Sequence, residues 1–157
     1  MKERKGDQMK VAIGSDHGGY QLKELVYQHL QETGVEITDF GTHNEDSTDY
    51  PDYAEKVAEA VAAGKYQRGI LICGTGIGMS IAANKVRGIR CAMVSDCFSA
   101  RATRQHNDSN ILAMGGRVLG SGLAMEIVYT WLETEFEAGR HQRRIDKITD
   151  IENRHRT

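Results

Sequence analysis

A thiol and three glycines stand together at residues 73–79, Cys-Gly-Thr-Gly-Ile-Gly-Met, in a pattern suited to chemistry on an anion. Alternating glycines let the backbone approach a ligand closely, and the free N–H groups at the start of a following helix attract negative charge. A thiol at such a helix start ionises more readily, so Cys73 is a candidate base or nucleophile. The segment therefore predicts a cradle of backbone amides for a phosphate or oxyanion, with Cys73 at its mouth. The alternative is a buried structural cysteine.

Three known motifs that resemble this segment do not match it. A dinucleotide-binding fingerprint has glycine where Met79 stands, a Walker A loop has Gly-Lys-Ser/Thr, and a cysteine phosphatase loop has arginine at this position. Cys91 and Cys97 have no glycine cradle beside them, and we interpret both as structural cysteines.

Two further polar groups follow the first and second apolar runs of the chain. Asp16 and His17, in Ser-Asp-His-Gly-Gly, can bind hydroxyls, relay protons or ligate a metal, and the alternative is that Asp16 only caps the next helix. Tyr50, in Thr-Asp-Tyr-Pro-Asp-Tyr, either offers a phenol to a polar ligand or belongs to a simple helix start. Metal binding is the weakest of these interpretations, because no His-x-x-x-His, Cys-x-x-Cys or acidic cluster completes a ligand set.

Imidazole and guanidinium groups dominate the later part of the chain. His106 lies at the end of a predicted helix, with Asn107 next to it. Arg140 and Arg144 fall one helical turn apart on one face and suit a phosphate dianion. The alternatives are an isolated surface histidine and a solvated basic face.

Five short apolar runs, at 11–14, 35–40, 69–73, 91–94 and 111–114, must position these groups. Segments with helical spacing separate the runs, which predicts repeated β-α units and a parallel sheet covered on both faces. In such sheets ligands bind beyond the carboxyl ends of the strands, where most of the candidate loops begin. A C-terminal helix over 140–157 shares one face among Ile145, Ile148 and Ile151, and we expect this face to dock onto a partner subunit.

Composition limits the class of protein. The chain has 157 residues, which fits one domain, and its formal net charge of −2 removes bulk attraction to nucleic acid. No apolar stretch fits a membrane span or a secretory signal, and three cysteines indicate free thiols in a reducing cytoplasm. We expect residues 1–9 to be a disordered polar leader and residues 10–157 to form a single domain.

The candidate groups together suit a reaction that moves protons on an anionic small molecule. Redox-cofactor motifs are missing, whereas a thiol base, amide donors, an Asp-His pair and arginines are all available. Aldose–ketose isomerisation needs such a set, because a base takes the proton next to the carbonyl and donors stabilise the enediolate.

Five segments, in order and spacing, resemble type B ribose-5-phosphate isomerases, a family grouped with the allose- and galactose-6-phosphate isomerases. They are SDHGG, TDYPDYA, ILICGTGIGMSIAANK, SARATRQHNDSNILAMGGRV and GRHQRR, and the resemblance runs from about Met9 to Glu152. It implies a Rossmann-like three-layer α/β/α sandwich with a five-stranded parallel sheet, and interconversion of D-ribose 5-phosphate and D-ribulose 5-phosphate in the non-oxidative pentose phosphate pathway. It also implies a cytoplasmic homodimer or tetramer with active sites at the subunit interface, and no metal or organic cofactor.

The resemblance also implies roles for individual residues. Cys73 would shuttle the proton between C1 and C2 with help from Thr75, Asp16 would move the proton between O1 and O2, and His106 would open the furanose ring. One branch of the family uses a glutamate at the Met79 position, and since methionine cannot take a proton the task falls on Cys73 here. Substrate-binding roles are implied for His17, Arg140 and Arg144 at the phosphate, for Tyr50 and Asn107 at the sugar, and for the amides of Gly74, Gly76, Ile77 and Gly78 at the enediolate.

Three alternatives remain open from the sequence. A hexose-phosphate isomerase of the allose or galactose type would use the same chemistry on a longer sugar. A flavodoxin-like redox protein would share the β-α pattern. A non-catalytic sugar-phosphate sensor would keep the arginines but would not need Cys73.

Overall fold

Five parallel strands form one central sheet in the computed structural model, which describes residues 8–156. The strand order is β2-β1-β3-β5-β4, with β1 at Lys10–Ser15, β2 at Glu36–Asp39, β3 at Arg68–Cys73, β4 at Cys91–Met93 and β5 at Ile111–Gly115. All four neighbouring pairs are parallel. Each predicted apolar run therefore overlaps a strand, and the predicted parallel sheet is confirmed.

Within the described residues, six α-helices connect and flank the strands. They are α1 at Tyr20–Glu32, α2 at Tyr50–Ala62, α3 at Ile77–Ala83, α4 at Cys97–Asn107, α5 at Ser121–Glu133 and α6 at Arg140–His155. A 3₁₀ turn at His17–Gly19 precedes α1. Pro51 occupies the first turn of α2, where its missing N–H costs no hydrogen bond.

The sheet separates two hydrophobic clusters. Side chains of β3 alternate between them: Ile70 and Ile72 join a cluster with α1, α4 and α5, whereas Leu71 and Cys73 join a cluster with α2 and α3. Trp131 of α5 is fully buried in the first cluster, and its indole N–H donates to the Ser109 hydroxyl at 2.9 Å. This arrangement is a three-layer α/β/α sandwich, as predicted, and it directs the Cys73 side chain toward the layer that contains α3.

The two ends of the described chain differ in how they are held. Met9 packs against the first cluster, and residues 1–7 of the predicted leader lie outside the described residues. Helix α6 buries two residues, His141 and Ile145, while Ile148 and Ile151 remain about half exposed. Within residues 8–156, no helix is long and apolar enough to cross a membrane.

Candidate active site

Cys73 is the last residue of β3, and its sulfur faces the glycine loop. The side chain is 5% exposed, and Sγ accepts a hydrogen bond from the Gly76 N–H at 3.1 Å. Gly76 has φ of +80° and is the N-cap of α3, and a Cβ there would lie 2.8 Å from the Met114 backbone. Glycine is thus required for the loop to turn tightly around the sulfur.

The loops after β1, β3 and β5 touch one another main chain to main chain. A Cβ on Gly19 would lie 2.3 Å from the Ile72 carbonyl oxygen, and a Cβ on Gly116 would lie 2.9 Å from the Gly18 oxygen. The Gly116 N–H also donates to the Cys73 carbonyl at 2.8 Å. Because no side chains separate these loops, the backbone amides around Cys73 are preorganised.

Asp16 and His17 lie on this same edge, immediately after β1. Asp16 is buried, and its Oδ1 accepts the Gly19 N–H at 3.1 Å, so it caps the 3₁₀ turn as the structural alternative predicted. His17 Nδ1 accepts the Thr48 N–H at 3.2 Å. In its neutral form this imidazole therefore carries its proton on Nε2, which leaves Nε2 as a donor for a ligand.

Arg117 is a functional candidate that sequence reasoning missed. It lies just after β5, and its Nη1 would be 3.5 Å from a Cβ on Gly74. A pocket of about 220 Å³ brings it together with His17 and Gly18, and its remaining lining residues are Gln21, Leu22, Glu45 and Gly116. The same rule that pointed to the loops after each strand applied to Arg117, since it follows the fifth apolar run.

Tyr50 and Thr75 flank the mouth of the cradle. The Tyr50 ring, 41% exposed, lies so close to Gly78 that a Cβ there would approach ring atoms to 2.8 Å. Thr75 is exposed, and its Oγ1 accepts the Ile77 N–H at 3.2 Å. Both side chains therefore lie beside the glycine loop and are partly or fully open to solvent there.

The remaining candidates lie at the opposite edge of the sheet. Helix α4 runs back from the carboxyl edge, so His106 and Asn107 reach the edge where the strands begin. The Asn107 carbonyl accepts from Arg90 Nε at 2.9 Å, and Arg90 immediately precedes β4. The two edges are separated by the length of a six-residue strand, about 17 Å, so one chain does not bring His106 next to Cys73.

An ion pair between buried Arg104 and partly exposed Asp108 holds the backbone that follows His106. Arg104, 2% exposed, donates to the Asp108 carboxylate at 2.8 Å and to the Ser109 carbonyl at 2.7 Å. Arg90 donates to the Asp108 carbonyl at 2.9 Å. Asp108, the C-cap of α4, has φ of +45°, a conformation that is costly for a residue other than glycine. The hydrogen bonds to its carbonyl and carboxylate hold it in this conformation.

His106 stacks on His141, the second residue of α6. Their ring centroids are 4.4 Å apart with planes 15° from parallel, and His141 Nε2 lies 3.5 Å from the Glu137 carboxylate. Burial lowers the pKa of His141, as do the neighbouring His106 and Arg140, while Glu137 opposes the shift. Arg140 and Arg144 are exposed on the same helix.

The cluster of His106, Glu137 and His141 has the composition of a metal site but not its geometry. Their ligand atoms all lie within 4.8 Å of one another. An ion binds in the plane of an imidazole, however, and two nearly parallel stacked rings do not direct their nitrogens to one point. The prediction that the site holds no metal therefore stays a prediction, and the stacked geometry favours it.

The other two cysteines are interpreted differently from Cys73. Burial raises the pKa of Cys91 to about 12, although a hydrogen bond with Ser80 partly opposes the effect. Cys97 Sγ lies 3.9 Å from the Glu126 carboxylate. Neither sulfur lies in the glycine loop that receives Cys73.

Comparisons with known proteins agree with this architecture. The chain belongs to the ribose/galactose isomerase family, which matches residues 11–148, and the family predicted from the motifs is confirmed. Ribose-5-phosphate isomerase B of Escherichia coli is 54% identical, over 92% of this chain and 97% of the relative. D-erythrulose-4-phosphate isomerase of Pectobacterium atrosepticum is 44% identical, over 89% of this chain and 93% of the relative. The structure of Clostridium thermocellum ribose-5-phosphate isomerase B aligns with a TM-score of 0.92 and 57% identity, covering 93% of this chain and 99% of that chain.

Proposed function

We propose that this protein interconverts D-ribose 5-phosphate and D-ribulose 5-phosphate, as a step of the pentose phosphate pathway in the cytoplasm. The observation that carries the proposal is the Cys73 sulfur, held at the mouth of a glycine cradle beside Asp16 and His17. Family membership and the relatives named for ribose 5-phosphate support the same reaction. Family membership argues against a flavodoxin-like protein, and the Escherichia coli and Pectobacterium relatives are named for five- and four-carbon sugar phosphates rather than hexose phosphates.

The chemical steps follow from the residues at the carboxyl edge. The Cys73 thiolate takes the proton from C2 of the open-chain aldose, and the electron pair moves onto O1 to give an enediolate. Amide N–H groups of residues 74–78 stabilise this anion, for which Gly76 and Ile77 exchange their bonds to Cys73 Sγ and Thr75 Oγ1. Asp16 carries a proton between O1 and O2. Cys73 then returns its proton to C1, which forms the ketose and restores the thiolate.

Ring opening must precede these steps, because the aldose is a closed furanose in solution. In the proposal His106 takes the proton of the O1 hydroxyl and delivers it to O4, so that the C1–O4 bond breaks as the C1–O1 double bond forms. Asn107 contacts the sugar beside it. The phosphate is held by Arg140 and Arg144 together with His17 and Arg117, whose cationic or donor groups suit a dianion.

A second copy of the chain completes this site in the proposal. His106 and the α6 arginines lie at the opposite edge from Cys73, so one chain supplies each group to a different site. The half-exposed Ile148 and Ile151 border a groove of about 540 Å³ between α6 and the edge strand β4. An apolar surface of this kind suits burial against another subunit and supports a homodimer.

Mixing two inactive variants tests the reaction and the shared site together. Cys73→Ala and His106→Ala should each lose most ribose 5-phosphate isomerisation when assayed alone. After unfolding and joint refolding, mixed dimers regain one intact site of two, so about a quarter of wild-type activity should return. No activity in the wild type would refute the reaction, and no recovery on mixing would refute the site shared between copies.

A further inference from the structure

His106 is an exposed side chain whose orientation is set from outside its own helix. It is the penultimate residue of α4, and its ring lies flat against His141 with centroids 4.4 Å apart. His141 is 6% exposed, and it is one of two residues that α6 buries. The exposed ring is therefore supported by a buried one.

The segment before α6 is joined to the end of α4 by a main-chain hydrogen bond, and two further contacts join this segment to His141. The Glu137 N–H donates to the Gln105 carbonyl at 3.2 Å, which attaches main chain to main chain next to His106. The Glu137 carboxylate then lies 3.5 Å from His141 Nε2, and the His141 N–H donates to the Ala138 carbonyl at 3.1 Å. The position and tilt of the His141 ring are thus fixed relative to α4.

We propose that His141 is a positioning residue for ring opening. Its ring holds the His106 imidazole in the orientation that moves a proton from O1 to O4 of the furanose. Because His141 lies between Arg140 and Arg144 on α6, it also fixes the position of the His106 imidazole relative to the two arginines that bind the phosphate. The inference rests on the proposed function, since it concerns how His106 carries out its part of it.

Orientation matters here because proton transfer requires hydrogen-bond geometry at both oxygens. A free surface histidine samples several rotamers, and only a fraction of them face a bound sugar. Stacking removes this freedom without using either nitrogen of His106, so both nitrogens remain available to the substrate. The positioning role of His141 therefore requires a flat aromatic ring and does not require a group that titrates.

Steady-state kinetics with ribose 5-phosphate give the first test. His141→Ala should lower kcat about tenfold with KM within about twofold, because the phosphate grip remains while the imidazole is released. His141→Phe keeps a flat ring and should restore kcat to within about threefold of wild type. Gln142→Ala, at the adjacent exposed position of α6, is the matched control and should be unchanged. Thermal unfolding of each variant separates loss of folding from loss of positioning.

Anomer exchange measures ring opening directly. In the Cys73→Ala background, which cannot isomerise, exchange between the α and β anomers of C1-labelled ribose 5-phosphate is followed by NMR. Cys73→Ala should accelerate exchange above the rate in buffer, and adding His141→Ala should reduce that acceleration about tenfold, whereas adding His141→Phe should not. Equal acceleration with and without His141→Ala would overturn the positioning role but leave ring opening intact. No acceleration by Cys73→Ala would overturn ring opening itself and the inference with it.

Discussion

The two edges of the sheet hold their candidate groups in opposite ways. At the carboxyl edge Cys73 and Asp16 are buried, and backbone N–H groups fix both side chains. At the amino edge His106, Arg140 and Arg144 are exposed and extend from helices. The first edge is rigid before any ligand arrives, whereas the second presents side chains to an approaching surface. Changes at the first should therefore act mainly on turnover, and changes at the second on binding and ring opening.

Glycine substitutions provide the strongest way to break this comparison. Gly76→Ala forces a Cβ to 2.8 Å from the Met114 backbone at φ of +80°, and it should disrupt the amide cradle and lower kcat about a hundredfold. Gly34, near the amino edge between α1 and β2, has a similar φ of +83°, but an added Cβ there would meet no atom within 4 Å. Gly34→Ala is therefore the matched control. It should cost about 1 kcal/mol of unfolding free energy and leave kcat unchanged. Equal kcat values for the two variants would contradict a preorganised carboxyl edge.

The reactivity of the thiols sharpens the comparison, because Cys73 lies at the carboxyl edge and Cys91 at the amino edge. The pKa of Cys91, at the start of β4, is raised to about 12, so at pH 8 this thiol is almost entirely protonated. In the folded protein iodoacetamide should therefore modify Cys91 at least about tenfold more slowly than Cys97. Peptide mass spectrometry after timed alkylation measures both rates, and inactivation should coincide with modification of Cys73. Similar rates for Cys91 and Cys97 would show that Cys91 is not protected by burial.

Removing one arginine of α6 tests the amino edge. Arg144→Ala should raise KM for ribose 5-phosphate about tenfold and change kcat much less, because a charge-assisted bond to the phosphate is lost. Arg143→Ala removes another exposed charge, about 100° around α6 from Arg144, and should leave KM within about twofold of wild type. An unchanged KM in Arg144→Ala would mean that this face of α6 is merely solvated.

The smallest expected effect concerns pH and stability at the amino edge. Burial, together with His106 and Arg140, lowers the pKa of His141 below its ordinary value of 6.5. The unfolded chain therefore binds this proton more tightly, and the folded state loses stability as pH falls through 6.5. Between about pH 7.5 and about pH 5.5, the Tm of wild type should fall a few degrees more than that of His141→Phe. Parallel slopes in calorimetry would contradict this contribution.

Local patterns were sufficient to predict the β-α order and the edge at which the candidate loops meet. The apolar runs and helical spacings lie close together in sequence, and Cys73 lies within the same seven residues as its glycines. The parallel sheet then follows from alternation, and the position of the site follows from the sheet. Asp16, His17 and Tyr50 became candidates for the same reason, since each lies just beyond a predicted strand or at a predicted helix start, and their roles stay predictions.

Other features of the candidate site depended on the direction in which a helix runs and on contacts between residues far apart in the sequence. A helix that follows a parallel strand runs back along it, so the position of His106 at the opposite edge was implied by the β-α pattern but not drawn from it. Arg117 was overlooked although it follows β5. The support of His106 by His141 joins residues 35 positions apart on two helices, and no periodicity records such a pairing.

The glycine contacts between the three loops also limit how this molecule can move. Where main chains meet directly, no flexible side-chain layer is available to compress or slide, so the loops after β1, β3 and β5 can shift only as one block. Any breathing that admits a sugar or releases a product must then come from its surroundings, namely the largely exposed loop at 43–49, which carries Thr48, and the exposed arginine side chains of α6. Adaptation to sugars of other lengths is accordingly expected to accumulate in those two segments, while the block beneath them stays the same.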